Sequence, residues 1–429
     1  MNQLVGDRAS VLAALQSTIT AFRNDGPVVQ SVMNASYPDF TEDQRTARLR
    51  DIINQLQDAY NKAQAVPPGG PWFMPQIPVV GLFQTAMEEH LGSDITVSQT
   101  REVATATAVV PEQFGDTDPL WIEVVLAEID TLVSGKAPFV SHTHLSDFFY
   151  NIEDSCTIAL VADWGADNDS AKNVAQQMKN RNPDYAIHLG DIYYAGEDNE
   201  AKGFLYRFRT IAGKRSFAMN GNHEMYSGGK AYFGTVLLNL QQSASYFGLF
   251  NQNWQLLALD SAYVDHCLTD PSDARLQNQF DWAVDKLKNA SRSSIMLTHH
   301  QPFSAYQPEH DAGDRLRNDI SRLDLAIQPV SLFAWFFGHE HRCTIYDDSF
   351  NDFRARLIGN GCIPHDRQTA PDGVPPVPYR AINQGLRSDG SGYAVSGFVL
   401  LTLTGPNMKV EYINEDGSSF ATENWTAKT

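Results

Sequence analysis

Five short clusters of Asp, Asn and His carry the chemistry this chain offers, and each follows an apolar run: Asp163-Trp164-Gly165, Gly190-Asp191-Ile192-Tyr193-Tyr194, Gly221-Asn222-His223-Glu224, His299-His300-Gln301-Pro302 and Gly338-His339-Glu340-His341. A strand that ends in Gly-Asp sets a carboxylate at the carboxyl edge of a sheet, where open α/β folds build ligand sites. Carboxylate, amide and imidazole are hard or borderline donors, and two cations need several such loops to fill their coordination. Each cluster alone has a plainer reading. A strand-end Asp is more often a helix cap or turn former, and a lone buried His is usually a satisfied core residue. Gly338-His339-Glu340-His341 is the strongest single signal, because imidazoles at i and i+2 of one short turn both reach a metal.

The elements that must position these clusters are legible from about Cys156 onward. Cys156 to Ala162 is a continuously apolar run, which fits a strand covered on both faces. Helix is expected over 171–180, 201–212 and 274–287, and strand over 185–189, 216–219, 254–259, 294–297 and 332–337. This alternation predicts a layered α/β domain with helices outside buried sheets. The Pro-rich stretch Pro371 to Pro378 follows, and strands over 398–403 and 409–413, joined by Gly405-Pro406-Asn407, are expected to close the chain as a hairpin. Residues 1–150 read as a helical amino-terminal region and 151–429 as the domain that carries the five clusters. Helices are expected over 4–22, 41–65, 80–90 and 119–133, and Thr41-Glu42-Asp43-Gln44 forms a capping box for the second.

At 429 residues, 42% of them hydrophobic, the chain buries a large core. No run approaches the roughly 18–20 apolar residues of a membrane-spanning helix, and no basic n-region with an apolar h-region opens the chain. A cytoplasmic protein without membrane association is expected. A formal charge of −19 argues against nucleic-acid binding, which relies on Lys and Arg neutralising phosphates. Cys156, Cys267, Cys343 and Cys362 show no metal-binding spacing and are expected as buried free thiols, one disulfide being the alternative.

In order, the clusters read D-x-G, GDxxY, GNHE, H-x-P and GHxH. With this pattern the sequence resembles the calcineurin-like metallophosphoesterases, and among them the purple acid phosphatases. Most of the superfamily carries a His two residues after the first Asp, where this chain has Gly165; the purple type replaces it with a Tyr three residues after the second Asp, where this chain has Tyr194. The resemblance covers about residues 155–362. It implies a four-layer α/β/β/α sandwich, two mixed sheets flanked by helices. It also implies a first metal held by Asp163, Asp191, Tyr194 and His341, with Asp191 bridging to a second held by Asn222, His300 and His339.

His300 is preferred over its neighbour His299 because Pro302 then completes H-x-P and His310 falls near the family's substrate-binding His. His299 is the fallback. His223, and His310 beside Glu309, would act on the phosphoryl group and the leaving oxygen. A phenolate donor favours Fe(III) at the first position, with Zn(II), Mn(II) or Fe(II) at the second. The implied activity is hydrolysis of small phosphate esters, monoester or diester, by a metal-activated hydroxide attacking phosphorus in line. The alternative is a non-hydrolytic iron–phenolate protein with a redox or structural role. Many purple acid phosphatases have an all-β domain ahead of the catalytic one, whereas this chain has the expected helical region.

Overall fold

The computed structural model describes residues 136–428 apart from 166–168, 194–195, 197, 265–266, 269–272, 289, 306–331, 350–352, 364–376 and 389–392, together with scattered residues up to 57. Two compact units divide the chain, one formed by Met1–Gly135 with Tyr226–Gly228 and the other by the remaining residues. In the first unit the expected capping box is present: Thr41 N donates to Gln44 Oε1 at 2.7 Å, and Gln44 N donates to Thr41 Oγ1 at 3.3 Å. Those two reciprocal bonds satisfy amides that the first helical turn leaves unpaired.

The second unit starts at Lys136 and contains two mixed sheets. In the larger sheet the order is β1 (Phe149–Asn151), β5 (Phe247–Phe250), β6 (Trp254–Ala258), β7 (Ser293–Leu297), β8 (Ala334–Phe337), β10 (Arg354–Ile358), β9 (Cys343–Tyr346) and β11 (Tyr379–Ile382). In the smaller it is β14 (Ser419–Thr426), β13 (Asn407–Asn414), β12 (Gly397–Thr404), β2 (Ser155–Val161), β3 (Tyr185–His188) and β4 (Arg215–Ala218). β2, β3 and β4 run parallel, as do β6, β7 and β8, so each trio delivers its carboxyl ends to one edge. The expected closing hairpin is β12–β13. It gains β14 outside it and joins the smaller sheet through an antiparallel pairing of β12 with β2.

Period-two alternation within the apolar strands sorts three cores. Ile158, Leu160, Phe217, Leu256, Ile295, Phe336 and Leu401 fill the space between the sheets. Ala159 and Val161 face the opposite way, toward α1 (Asp169–Arg181) and α2 (Asp198–Phe208), where they meet Val174, Met178, Phe204 and Phe208. On the outer face of the larger sheet, Leu257, Met296 and Trp335 pack with Trp282 and Leu287 of a helix over Ala274–Lys288. Both faces of the central strands are therefore dry, which is why their sequences are apolar without a break. The result is the four-layer sandwich the motifs imply.

His188 at the end of β3 belongs to this packing, stacked on Trp164 at 5.8 Å. Burial pushes its pKa down to about 3, so it is a neutral core residue. No disulfide joins the four cysteines; Cys156, Cys343 and Cys362 are buried and Cys267 is half-buried. No helix among the described residues is long and apolar enough to cross a membrane.

Candidate metal centre

Asp163 follows β2, Asp191 follows β3, and Asn222 and His223 open the short helix Asn222–Tyr226 after β4. From the larger sheet, His299 and His300 follow β7, and His339 and His341 follow β8. Contacts at this edge join the two sheets. His339 N donates to Asp163 Oδ2 at 2.9 Å, and His299 Nδ1 lies 3.0 Å from the carbonyl of Leu189. Among the described residues, four of the seven non-glycine residues with positive φ are Asp163 (55°), Asp191 (54°), His339 (73°) and His341 (44°). A left-handed backbone costs an L-residue of order 1 kcal/mol or more. Its concentration in the proposed ligands marks turns held for the sake of their side chains.

The side chains form one buried group. Asp191 accepts the backbone N–H of His223 on Oδ1 at 3.0 Å, and its Oδ2 lies 3.3 Å from His299 Nε2 and 3.7 Å from His223 Nε2. Asn222 Oδ1 lies 2.9 Å from His299 Nε2 and 3.0 Å from His339 Nδ1, and these two nitrogens are 3.3 Å apart. His341 Nε2 stands 3.7 Å from Asp163 Oδ1. His300 lies beside the group, its ring centroid 4.6 Å from that of His339.

These atoms fit a cation. The Leu189 carbonyl only accepts, so His299 Nδ1 carries a proton and Nε2 of the neutral ring presents a lone pair. That lone pair meets the oxygens of Asn222 and Asp191 at 2.9 and 3.3 Å. Donors bound to one ion at about 2.0–2.2 Å stand roughly 3.0–3.5 Å from one another, so the spacing is that of a ligand polyhedron. Among the described residues, Asp191 Oδ2 is buried without a hydrogen-bond partner. Among the described residues, two sets of ring nitrogens and carboxylate oxygens are close enough to hold an ion, His299 with His300 and His339, and Asp163 with Asp191 and His299.

The sequence-assigned residues Asp163, Asp191, Asn222, His300, His339, His341 and His223 all come to this edge. Tyr194, Glu309 and His310 lie outside the described residues. His299, the fallback, makes the short contacts to Asn222 and Asp191. Gly165 has φ +65°, and a Cβ there would stand 2.6 Å from Ile363 Cγ1, so the position that carries a His in most of the superfamily is closed to a side chain here.

Three residues at this edge had no role assigned from sequence. Glu224 is buried and accepts N–H bonds from Gly221 (2.5 Å), Asp191 (2.9 Å) and Ile192 (2.8 Å), tying the second cluster to the third; burial and the Asp191 charge push its pKa up. Asp260 accepts from Asn220 Nδ2 at 3.2 Å and from the amides of Ala262 and Tyr263. Ser261 Oγ lies 3.0 Å from His300 Nδ1. Leu259-Asp260-Ser261 closes an apolar run just as the five clusters do, which is the signal that could have found the last two.

Residues 156–343 match the family model described as calcineurin-like phosphoesterase, a segment that contains all five clusters. That match supports the superfamily the motifs had implied. No curated protein matches the chain. Among solved structures it is similar to GAP50, the anchor in the inner membrane complex of Plasmodium, at 15% identity over 64% of this chain and 90% of that one, with a TM-score of 0.48. It is also similar to purple acid phosphatase PPD1 from yellow lupin seeds, at 16% identity and TM-score 0.44, covering 63% of this chain and 54% of that one. A third is the phosphoesterase YfcE of E. coli, at 12% identity and TM-score 0.30, covering 62% and 98% respectively. Fold, family segment and the His/Asp group together support a metal-dependent phosphoesterase.

Proposed function

We propose that the protein hydrolyses small phosphate esters at a dinuclear metal centre of the purple acid phosphatase type. The observation that carries this reading is the convergence of carboxylate, amide and imidazole from five strand ends, with Asp191 at the junction of the two halves. Asp163, Asp191, Tyr194 and His341 would hold the first ion. Asp191, Asn222, His339 and one imidazole of the His299–His300 pair would hold the second. A phenolate from Tyr194 favours Fe(III) at the first position, with Zn(II), Mn(II) or Fe(II) at the second. When bound, the ions neutralise phosphoryl oxygens and acidify water, with a pKa near 7 in well-studied zinc sites.

The protein's own groups do the rest. Glu224 fixes the amides of Gly221, Asp191 and Ile192, which sets the Asp191 carboxylate in place. His223 is anchored by its backbone bond to Asp191 Oδ1, and its imidazole is the proposed donor to the phosphoryl group. His310 is the proposed second donor. The test is metal analysis of purified protein alongside turnover of an aryl phosphate, a diester and an alkyl monoester. Two ions per chain with metal-dependent turnover is the expected result. A chain that binds metal and turns over none of the three overturns the hydrolase reading in favour of a redox or structural iron–phenolate protein.

A further inference from the structure

His299 and His300 are adjacent, both buried, and both at the centre, yet their Nδ1 atoms are held by chemically different partners. We infer that this difference divides their roles: His299 is the metal ligand, through Nε2, and His300 is kept as the Nε2–H tautomer by Ser261 and serves as a positioning residue. The inference rests on the metal-centre reading above and names which imidazole of the pair completes the second site.

A backbone carbonyl has no hydrogen, so the 3.0 Å contact with Leu189 fixes the proton of His299 on Nδ1. Nε2 is then the lone-pair atom, and it is the one that stands 2.9 Å from Asn222 Oδ1 and 3.3 Å from both Asp191 Oδ2 and His339 Nδ1.

Ser261 differs because a hydroxyl both donates and accepts. It follows β6, the neighbour of β7, and the pairing continues past the strands through Leu259 N donating to Leu297 O at 3.0 Å. This brings Ser261 against His300, where Oγ accepts the His300 backbone N–H at 3.1 Å and lies 3.0 Å from His300 Nδ1. With its acceptor side engaged by that N–H, the hydroxyl proton needs an acceptor of its own. Among the described residues, His300 Nδ1 is the one within reach. Ser261 is fully buried, and an unmet buried hydroxyl costs about 1–3 kcal/mol. The proton therefore sits on Oγ and points at Nδ1, which places the ring proton of neutral His300 on Nε2.

A protonated nitrogen does not ligate a metal. His300 instead packs its ring against His299 and His339, at centroid distances of 4.9 and 4.6 Å, and steadies both. Its backbone is held a second time, by Thr298 Oγ1 donating to the His300 carbonyl at 2.8 Å while accepting from Trp335 Nε1.

Two measurements test this. In metal-free protein labelled with ¹⁵N-histidine, His299 is expected with Nδ1 protonated and Nε2 bare, and His300 with the reverse; Ser261→Ala abolishes the His300 preference and Ser261→Thr restores it. A His300 ring protonated at Nδ1 in the wild type overturns the inference whether or not any metal binds. In the loaded protein, His299→Ala is expected to retain one ion per chain and His300→Ala two. The opposite pattern overturns the assignment, whereas a wild type that takes up no metal overturns the functional reading itself.

Discussion

The proposed centre would draw its ligands from both sheets, so whatever holds the sheets face to face would also hold the centre. Between them lies a charged clamp. Arg356 of β10 donates through Nε and Nη2 to the two oxygens of Glu423 on β14, each at 2.7 Å, and through Nη2 to Asp348 at 2.9 Å. Tyr412 donates its hydroxyl to Glu423 at 2.8 Å. The Arg356 side chain is 0% exposed and that of Glu423 12%. Burial pushes the Glu423 carboxyl up, but the bonds and charge of Arg356, with Tyr412 and Arg380, prevail and lower its pKa from 4.5 to about 2. A depression of that size is worth about 3 kcal/mol at neutral pH.

Glu423→Gln should therefore destabilise the sandwich by about 3 kcal/mol at pH 7, since it removes the nearer of the two carboxylates on a buried guanidinium and leaves only Asp348 to offset its charge. The pH dependence has a definite sign. A carboxylate whose pKa is depressed by folding contributes fully above about pH 4.5 and loses that contribution as pH falls toward 2. Urea unfolding followed by tryptophan fluorescence, from pH 7 to pH 3, measures both effects. The wild type should lose stability steeply below pH 4.5, and the variant should start lower and lose less. A variant within about 1 kcal/mol of wild type at pH 7, with the same acid limb, would refute the clamp.

Three further outcomes are expected from the proposed centre. Asp191→Ala should remove both ions and Asn222→Ala mainly one, as metal stoichiometry will read; full occupancy in Asp191→Ala ends the bridging assignment. Iron-loaded protein should be coloured and Tyr194→Phe should bleach it, so an unchanged visible spectrum would take the protein out of the purple type. His223→Ala should lower kcat/KM on alkyl phosphates by about 10²–10⁴-fold, and less on nitrophenyl phosphates whose leaving group needs no proton. An equal loss on both would leave His223 only an electrostatic role.

Much of this architecture is written in local sequence. Strands such as Cys156–Val161 and Ile295–Leu297 read clearly because a strand buried on both faces must be apolar throughout, and the polar residue that ends it must be there for some other reason. The five clusters could be ordered for the same reason. Local reading missed β1, β5, β9, β10, β11 and β14. These are the strands bordered by polar or irregular stretches, and their pairing is decided by neighbours far along the chain.

The site divides the same way. Asp163, Asp191, Asn222 and His339 are strand-end residues that any reader of the motif would select. Motif spacing pointed to His300, but which imidazole of the pair meets Asn222 and Asp191 depends on the Leu189 carbonyl and the Ser261 hydroxyl, supplied by two other strands. Glu224 and the Arg356–Glu423 clamp were equally hidden, because a buried carboxylate is stable only beside donors that folding brings to it. The sequence determined which groups stand at the ends of strands. Only the tertiary structure decided which hydrogens those groups carry and which charges they face, because both are properties of the contact between strands and not of either strand alone.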